Sequence, residues 1–217
     1  MKKDCLEIVR GKCESCKGCA LASTRNNVVF SDGNPSTAKI VLIGEAPGEM
    51  EDELGRPFVG RAGQLLNDFL AQAGISRDED VYIINTVKCR PPENRVPTDE
   101  EKSACRKFLN AQIDIINPRA IVLCGATALK SFVELDKKQT ISKVRGQWMN
   151  INVDGKDYRA MTIFHPSYLL RNHSMEEGSP RRLMQQDLAN IKNEILFDVD
   201  HSSSNNIFAQ PREIAMV

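Results

Sequence analysis

The stretch that most limits how this chain can fold is Ile40–Gly44 (IVLIG), with the loop that follows it and the helix that closes it. Five uninterrupted apolar-to-small residues are too few for a helix and show no alternation, so they fit a strand buried on both faces. The chain then breaks into GEAPGEMEDELGRPFVG, which holds Gly, Pro and the carboxylates Glu45, Glu49, Glu51, Asp52 and Glu53. It closes on Arg61–Gly74, where Leu65, Leu66, Phe69, Leu70 and Ala73 recur at helical spacing and Gly74 supplies a stop. A loop of this composition at the C-terminal end of a parallel strand is where open α/β sheets place ligand chemistry.

The rest of the chain repeats the alternation. Val81–Val87 and Arg119–Gly125 are further apolar strands. Thr98-Asp99-Glu100-Glu101 is a capping box for a helix reaching about Ile116, with Cys105, Phe108, Leu109, Ile113 and Ile116 on one face. A helix is expected over Ala126–Leu135. Asp154-Gly155 marks a hairpin turn between Trp148–Val153 and Tyr158–Phe164. Ser179-Pro180 is expected to cap a last helix over 181–197, with Met184, Leu188, Ile191 and Ile195 as its apolar stripe. Residues 2–11 form a short amphipathic helix in this reading. Strands alternating with helices predict a three-layer α/β/α domain over 1–197 with a mainly parallel sheet, followed by a disordered tail over 198–217.

Lys and Arg together number 29 and so do Asp and Glu, so the formal net charge is zero and no global field draws the protein to a polyanion. A nucleic-acid partner needs a local basic face. Lys88, Arg90, Arg95, Lys143, Arg145 and Arg171 lie in or near candidate loops. No apolar run approaches the roughly 18 residues of a membrane span. The opening MKKDCLEIVRGKC lacks the apolar segment of a secretory signal, and a cytoplasmic location is expected.

Seven cysteines, an odd number, fit a reducing compartment better than a disulfide framework. Cys13, Cys16 and Cys19 stand at two-residue gaps, a spacing at which a tight turn lets two thiolates reach one metal centre. Cys89, in a proline-rich loop, and Cys105, inside the following helix, can complete a set of four. Zinc and a [4Fe–4S] cluster both suit such a set. Cys124 fits simple burial. In the first loop Glu45 can orient or deprotonate a water. No GKT or GKS follows GEAPG, which disfavours nucleoside triphosphate binding. His165 follows an apolar strand and Pro166 ends it, which suits an acid or an electrophile at the sheet edge. Tyr168, Leu169 and Leu170 beside Arg171 form an apolar tip able to wedge into stacked bases, or a helix start packing on the core.

Taken together, GEAPGEMEDELGRPFVG, INTVKCRPPENR, FHPSYLLR and the cysteine set resemble the family 4 uracil-DNA glycosylases, the iron–sulfur members of their superfamily, over residues 13–197. The resemblance implies a central four-stranded parallel sheet between helices. It implies a monofunctional DNA-repair hydrolase that flips uracil out of DNA and cleaves its N-glycosidic bond. Glu45 then positions the water and His165 stabilises the departing uracil anion. Ala46, Glu51, Phe58, Asn85 and Asn94 bind the base: Phe58 stacks on it, Asn85 reads its edge, and Glu51 excludes the methyl of thymine. Leu169, Leu170 and Arg171 form the intercalating loop. The resemblance selects Cys16, Cys19, Cys89 and Cys105 as ligands of a [4Fe–4S] cluster and leaves Cys13 as an extra thiol. Uracil-containing DNA is the expected partner, a monomer the expected state, and a partner of the tail is open. No Lys lies in the catalytic motifs, so a lyase step is not expected. ENRVPTDEE carries no basic insert of the covalent uracil-binding subgroup. Two alternatives remain, a non-catalytic uracil or single-strand binding module and a zinc hydrolase. The latter is weakened by the absence of any HExxH or HxH pair among His165, His173 and His201.

Overall fold

A computed structural model describes residues 1–136 and 139–196. Strands β1 (Ile40–Gly44), β2 (Val81–Asn85), β3 (Ala120–Cys124), β4 (Trp148–Val153) and β5 (Lys156–Ile163) form one sheet in the order β2-β1-β3-β5-β4. Four run parallel in register, Ile40 beside Val81 and Ala120, Ile121 beside Ala160. The expected four-stranded parallel core is thus present. The Asp154-Gly155 turn adds β4 as a fifth, antiparallel edge strand, because both turn residues adopt positive φ, 50° and 85°.

Helices cover both faces. They are α1 (Lys2–Glu14), α2 (Glu49–Leu54), α3 (Arg61–Ala73), α4 (Asp99–Ile116), α5 (Ala126–Lys130), α6 (Ile141–Val144), α7 (Pro166–Leu169) and α8 (Pro180–Ile195). The period of two sorts each strand: Val41, Ile43, Ile84, Ile121 and Leu123 pack with Leu6, Leu109 and Ile113 on the α1/α4 face. Ile40, Leu42, Ile83, Val122 and Met161 pack with Leu66 and Leu70 of α3 and Leu188 and Ile191 of α8 on the other. Each such fully buried side chain contributes about 1.5–3 kcal/mol.

Local chemistry sets the ends. Thr98 Oγ1 accepts from Glu101 N at 3.2 Å and Glu101 Oε2 accepts from Thr98 N at 2.9 Å, the reciprocal cap expected for α4. Gly74 ends α3 with φ 68°. Several boundaries differ from expectation. α1 runs on through Gly11 to Glu14, which carries Cys13 into its last turn. α5 stops at Lys130, and the acidic loop after β1 contains the short helix α2. Ser179 sits at the N-cap of α8 but its hydroxyl donates to Ser174 O at 2.9 Å instead of capping. The expectation for 198–217 falls outside the described residues, and no helix among those described is long and apolar enough to cross a membrane.

The sheet order reverses direction across β1, so the crevice between β1 and β3 at their C-terminal ends is the topological switch point. Asp52, 1% exposed, joins the N-terminal segment to this edge: its carboxylate accepts from Asn26 N at 3.0 Å and Asn27 N at 3.2 Å. Asp52→Ala leaves those amides unpaired and is expected to lower unfolding free energy by about 1–3 kcal/mol in urea titration, with Asp52→Asn losing less. An unchanged midpoint for Asp52→Ala would show that the contact carries no stability.

Candidate active site

Four strand ends converge. Glu45 follows β1, Asn85 ends β2, Thr127 opens α5 after β3, and His165 follows β5 by two residues. A pocket of about 350 Å³ at this edge is lined by Ala46, Gly48, Glu51, Phe58, Ala62, Gly63, Asn85, Asn94, His165 and Ser167. Every residue expected to bind the base therefore lies on one wall or another of a single cavity, in the size range of small-ligand sites.

Phe58 holds its ring there with φ 53°, a strained value for a side chain of its size. Three features seat it. Glu51 Oε1 accepts from Val59 N at 2.9 Å and Gly60 N at 2.8 Å, while Oε2 accepts from Gly48 N at 3.1 Å, pinning both ends of the loop. Arg77 donates to Phe58 O at 3.1 Å and Pro57 O at 2.7 Å and is itself paired with Asp32 at 2.8 Å. Burial raises the pKa of Asp32, but Arg77 and Arg56 outweigh it and hold the carboxyl below its ordinary range. Finally, Gly44 and Gly63 make room: a Cβ on Gly44 would stand 2.7 Å from the Phe58 ring and 2.4 Å from Asn85 Oδ1, and one on Gly63 would stand 2.0 Å from Phe58 O.

Asn85 is 2% exposed, and its Oδ1 is buried with no hydrogen-bond partner. Such an atom is costly unless a ligand donates to it. Across the pocket the His165 ring lies 5.7 Å from that of Phe58. His165 Nδ1 is met by Ser167 N at 3.3 Å and Ser167 Oγ at 2.8 Å. The backbone N–H can only donate, so Nδ1 accepts and the neutral ring carries its proton on Nε2. Burial lowers the His165 pKa, against the opposing pull of Glu45 and Glu51. Glu45 does not line the cavity wall. Half-buried just past the end of β1, it accepts a hydrogen bond from the Thr127 hydroxyl, while Thr86 donates to its backbone carbonyl. Asn94, with φ 55°, is exposed at the rim and accepts from Arg90 at 2.8 Å.

The apolar tip is not as expected. Leu169 is 0% exposed and packs in the core with Met184 and Leu188, so it is corrected from a surface wedge to a core residue. The helix start at Pro166 turns it inward. Tyr168, 43% exposed, takes the outward place, with Leu170 half-buried and Arg171 exposed. Two expected phosphate contacts are corrected as well. Lys88 is fully buried, and Arg145 is paired with the buried Asp187 of α8.

The cysteines gather on the α4 side of the pocket. Cys13, Cys16, Cys19, Cys89 and Cys105 line one cavity with Arg25 and Lys88. Arg25 Nη1 donates to Cys89 Sγ at 3.2 Å and Gly18 N to Cys16 Sγ at 3.4 Å. Burial pushes the Cys13 thiol up to about 12 and raises Cys89 and Cys105, while it pulls the Lys88 ammonium down to about 8. Among the described residues no three His, Cys, Asp or Glu side chains are arranged to hold a single metal ion. Cys124 is buried apart in β3, as expected.

Sequence reasoning missed Thr127, Ser167, Gly44, Gly63, Arg77 and the burial of Lys88. Thr127 was within reach, since it stands just past a strand end as Glu45 does. Leu169→Ala is expected to lower stability by about 2–5 kcal/mol, as core truncations do, whereas Tyr168→Ala leaves the urea midpoint near wild type. Equal midpoints for the two variants would return Leu169 to the surface.

The comparisons with known proteins agree with this geometry. Residues 30–189 match the family model of the uracil DNA glycosylase superfamily. A type-4 uracil-DNA glycosylase of Thermotoga maritima is 52% identical, covering 88% of this chain and 95% of its own length. The type-4 uracil-DNA glycosylase of Archaeoglobus fulgidus is 43% identical over 79% of this chain and 85% of its own length. A type-5 uracil-DNA glycosylase of Pyrobaculum aerophilum is 32% identical over 61% of this chain and 62% of its own length. With the strand-end pocket, its unpaired asparagine and the thiol-lined cavity beside it, these matches place the chain among the type-4 members of the uracil DNA glycosylase superfamily.

Proposed function

We propose that the protein is a monofunctional uracil-DNA glycosylase acting in DNA repair, and the unpaired Oδ1 of Asn85 is the observation that carries the reading. A buried acceptor at the floor of an aromatic pocket calls for a planar ligand with an N–H at its edge. Uracil presents N3–H between two carbonyls, so Asn85 accepts from N3–H and its amide N–H donates to O4. Cytosine offers an acceptor at N3 and an amino group at C4, the reverse pattern. Reaching a base in DNA requires flipping it out of the stack.

The chemistry follows from the placement of each group. Water adds to C1′ of the deoxyribose as the C1′–N1 bond breaks, and the electron pair leaves with the base as a uracil anion. His165, neutral with its proton on Nε2, donates to O2 of that anion. Glu45, oriented by Thr127, takes up the proton of the water. Phe58 stacks on the base and Ala46 borders it. Glu51 keeps the loop closed where the C5 position falls and so excludes a methyl group, and Asn94 contributes from the rim. Leu170 and Arg171, with Tyr168, meet the DNA beside the vacated base. Arg90 and Arg95 lie along the adjoining loop, although each is also paired, Arg90 with Glu49 and Arg95 with Glu101.

The thiol-lined cavity suits a [4Fe–4S] cluster held by Cys16, Cys19, Cys89 and Cys105. In such a cluster each thiolate binds its own iron, so the sulfurs need to ring a volume and not converge on a point. A buried lysine and N–H···S contacts from Arg25 and Gly18 favour an anionic occupant. When bound, the group supplies a cross-link between the N-terminal segment and the α4 side of the core. Thiols kept reduced fit a cytosolic enzyme.

Incubation with a single-uracil oligonucleotide, then alkali and a denaturing gel, is expected to yield an alkali-labile abasic site, with no product from thymine. Tight binding without product would instead identify a binding module. His165→Ala is expected to lower kcat roughly 10²–10³-fold. Because the His165 pKa lies below its ordinary 6.5, activity is expected to hold as the pH falls through 6.5 and to decline only further down. A loss centred at or above 6.5 would remove the neutral donor. Iron and sulfide analysis is expected to find both elements in the purified protein. Cys89→Ser should lose them and melt below Cys124→Ser, and equal melting temperatures would refute the ligand set.

A further inference from the structure

Lys88 takes no part in uracil release, yet it is fully buried. The other buried charged side chains have evident partners: Asp52 the amides of Asn26 and Asn27, Glu101 Arg95, and Asp187 Arg145. Lys88 Nζ instead donates to a neutral group, the backbone carbonyl of Asn85, at 2.8 Å. It lines the cavity of Cys13, Cys16, Cys19, Cys89 and Cys105. A buried ammonium without a carboxylate is costly. Four thiolates around an iron–sulfur core form a net anionic group and supply the missing counter-charge.

The second contact of the same ammonium is the informative one. Asn85 carries the amide that faces the base, and its carbonyl lies one short turn upstream of Lys88. We propose that Lys88 is a positioning residue that links the cysteine cavity to base recognition: its ammonium is held by the anionic centre on one side and fixes the Asn85 backbone on the other. The proposal rests on the uracil and iron–sulfur readings above. It assigns Lys88 a role in how tightly uracil is held.

Lys88→Met, close in shape but uncharged, tests the link in the cluster-loaded protein. Iron and sulfide per chain are expected to match wild type, because all four ligands remain. The reduction potential is expected to fall, since a neighbouring cation favours the reduced, more negative centre. The Kd for free uracil is expected to rise on the order of tenfold, as for loss of one charge-assisted hydrogen bond. Because Lys88 acts through Asn85, the double variant Asn85→Ala/Lys88→Met should bind uracil no worse than Asn85→Ala alone, while its potential still falls. A shifted potential with unchanged uracil affinity overturns the link, and so does a double variant whose losses add. Should Lys88→Met fail to accumulate, Lys88→Gln carries the same measurements, with the fall in potential and the weaker uracil binding expected in the same direction. The wild-type controls separate the causes of failure. Wild type without iron removes the counter-charge, and wild type with iron but without excision removes the uracil reading; either overturns the proposal at a different step.

Discussion

The pocket depends on three hydrogen bonds to one carboxylate. Glu51 gathers the amides of Gly48, Val59 and Gly60, so the two ends of an acidic loop close on each other. Hydrogen bonds to a charged acceptor contribute about 1.5–3 kcal/mol each. Holding Phe58 at positive φ costs on the order of 1–3 kcal/mol. The carboxylate therefore exceeds the strain with margin, before Arg77 adds its bonds to Pro57 and Phe58. The sequence places five carboxylates in this loop, and the structure gives two of them opposite duties. Glu51 turns inward on backbone amides, and Glu45 accepts from the Thr127 hydroxyl.

That division explains how His165 remains a neutral donor. Two carboxylates act on the ring, and either alone would favour the imidazolium. Burial acts against both and prevails. Glu51 is surrounded by three N–H dipoles and Glu45 is bonded to Thr127, so each negative charge is partly answered locally. A neutral imidazole with its Nδ1 occupied by Ser167 presents a single N–H to the cavity. This suits an anion that forms only as a bond breaks, since a donor fixed in advance needs no reorganisation when the charge develops.

Much of the fold was legible because its signals are local. The apolar runs of β1, β2 and β3, the capping box before α4 and the Asp154-Gly155 turn each depend on neighbouring residues, and each formed as expected. What was not legible came from partners distant in sequence. Leu169, at the end of α7, and Lys88, in the loop after β2, both belong to segments whose chemistry resembles surface motifs, and both are buried, because α8 covers one and the cysteine cavity receives the other. Thr127 bonds Glu45 across 82 residues, so its place just past a strand end marks it as a candidate, but no spacing rule names its partner. The extension of α1 past Gly11 escaped notice for a different reason. One glycine costs only about 1 kcal/mol in a helix, less than burial of Cys13 and Leu6 against α4 returns.

The position of the cysteines follows from what the N-terminal segment lacks. Between α1 and β1 the chain forms no strand of the sheet, only a short 3-10 turn and an isolated bridge at Asp32. Its few buried apolar side chains, Leu21, Val29, Phe30 and Ala38, are a small core for so long a connection. Yet this segment borders the base pocket, because Asn26 and Asn27 bind Asp52 beside Glu51, and Val29 N donates to Lys88 O at 2.8 Å. A cross-link from Cys16 and Cys19 to Cys89 and Cys105 closes loops of about 70 residues or more, where loop-closure entropy makes a covalent staple worth roughly 4 kcal/mol. The proposed cluster therefore acts where the polypeptide has least burial of its own, and the two contacts at Asp52 and Lys88 carry that restraint to both sides of the pocket. A centre held there would steady recognition without exchanging electrons with the base, since hydrolysis requires no such exchange.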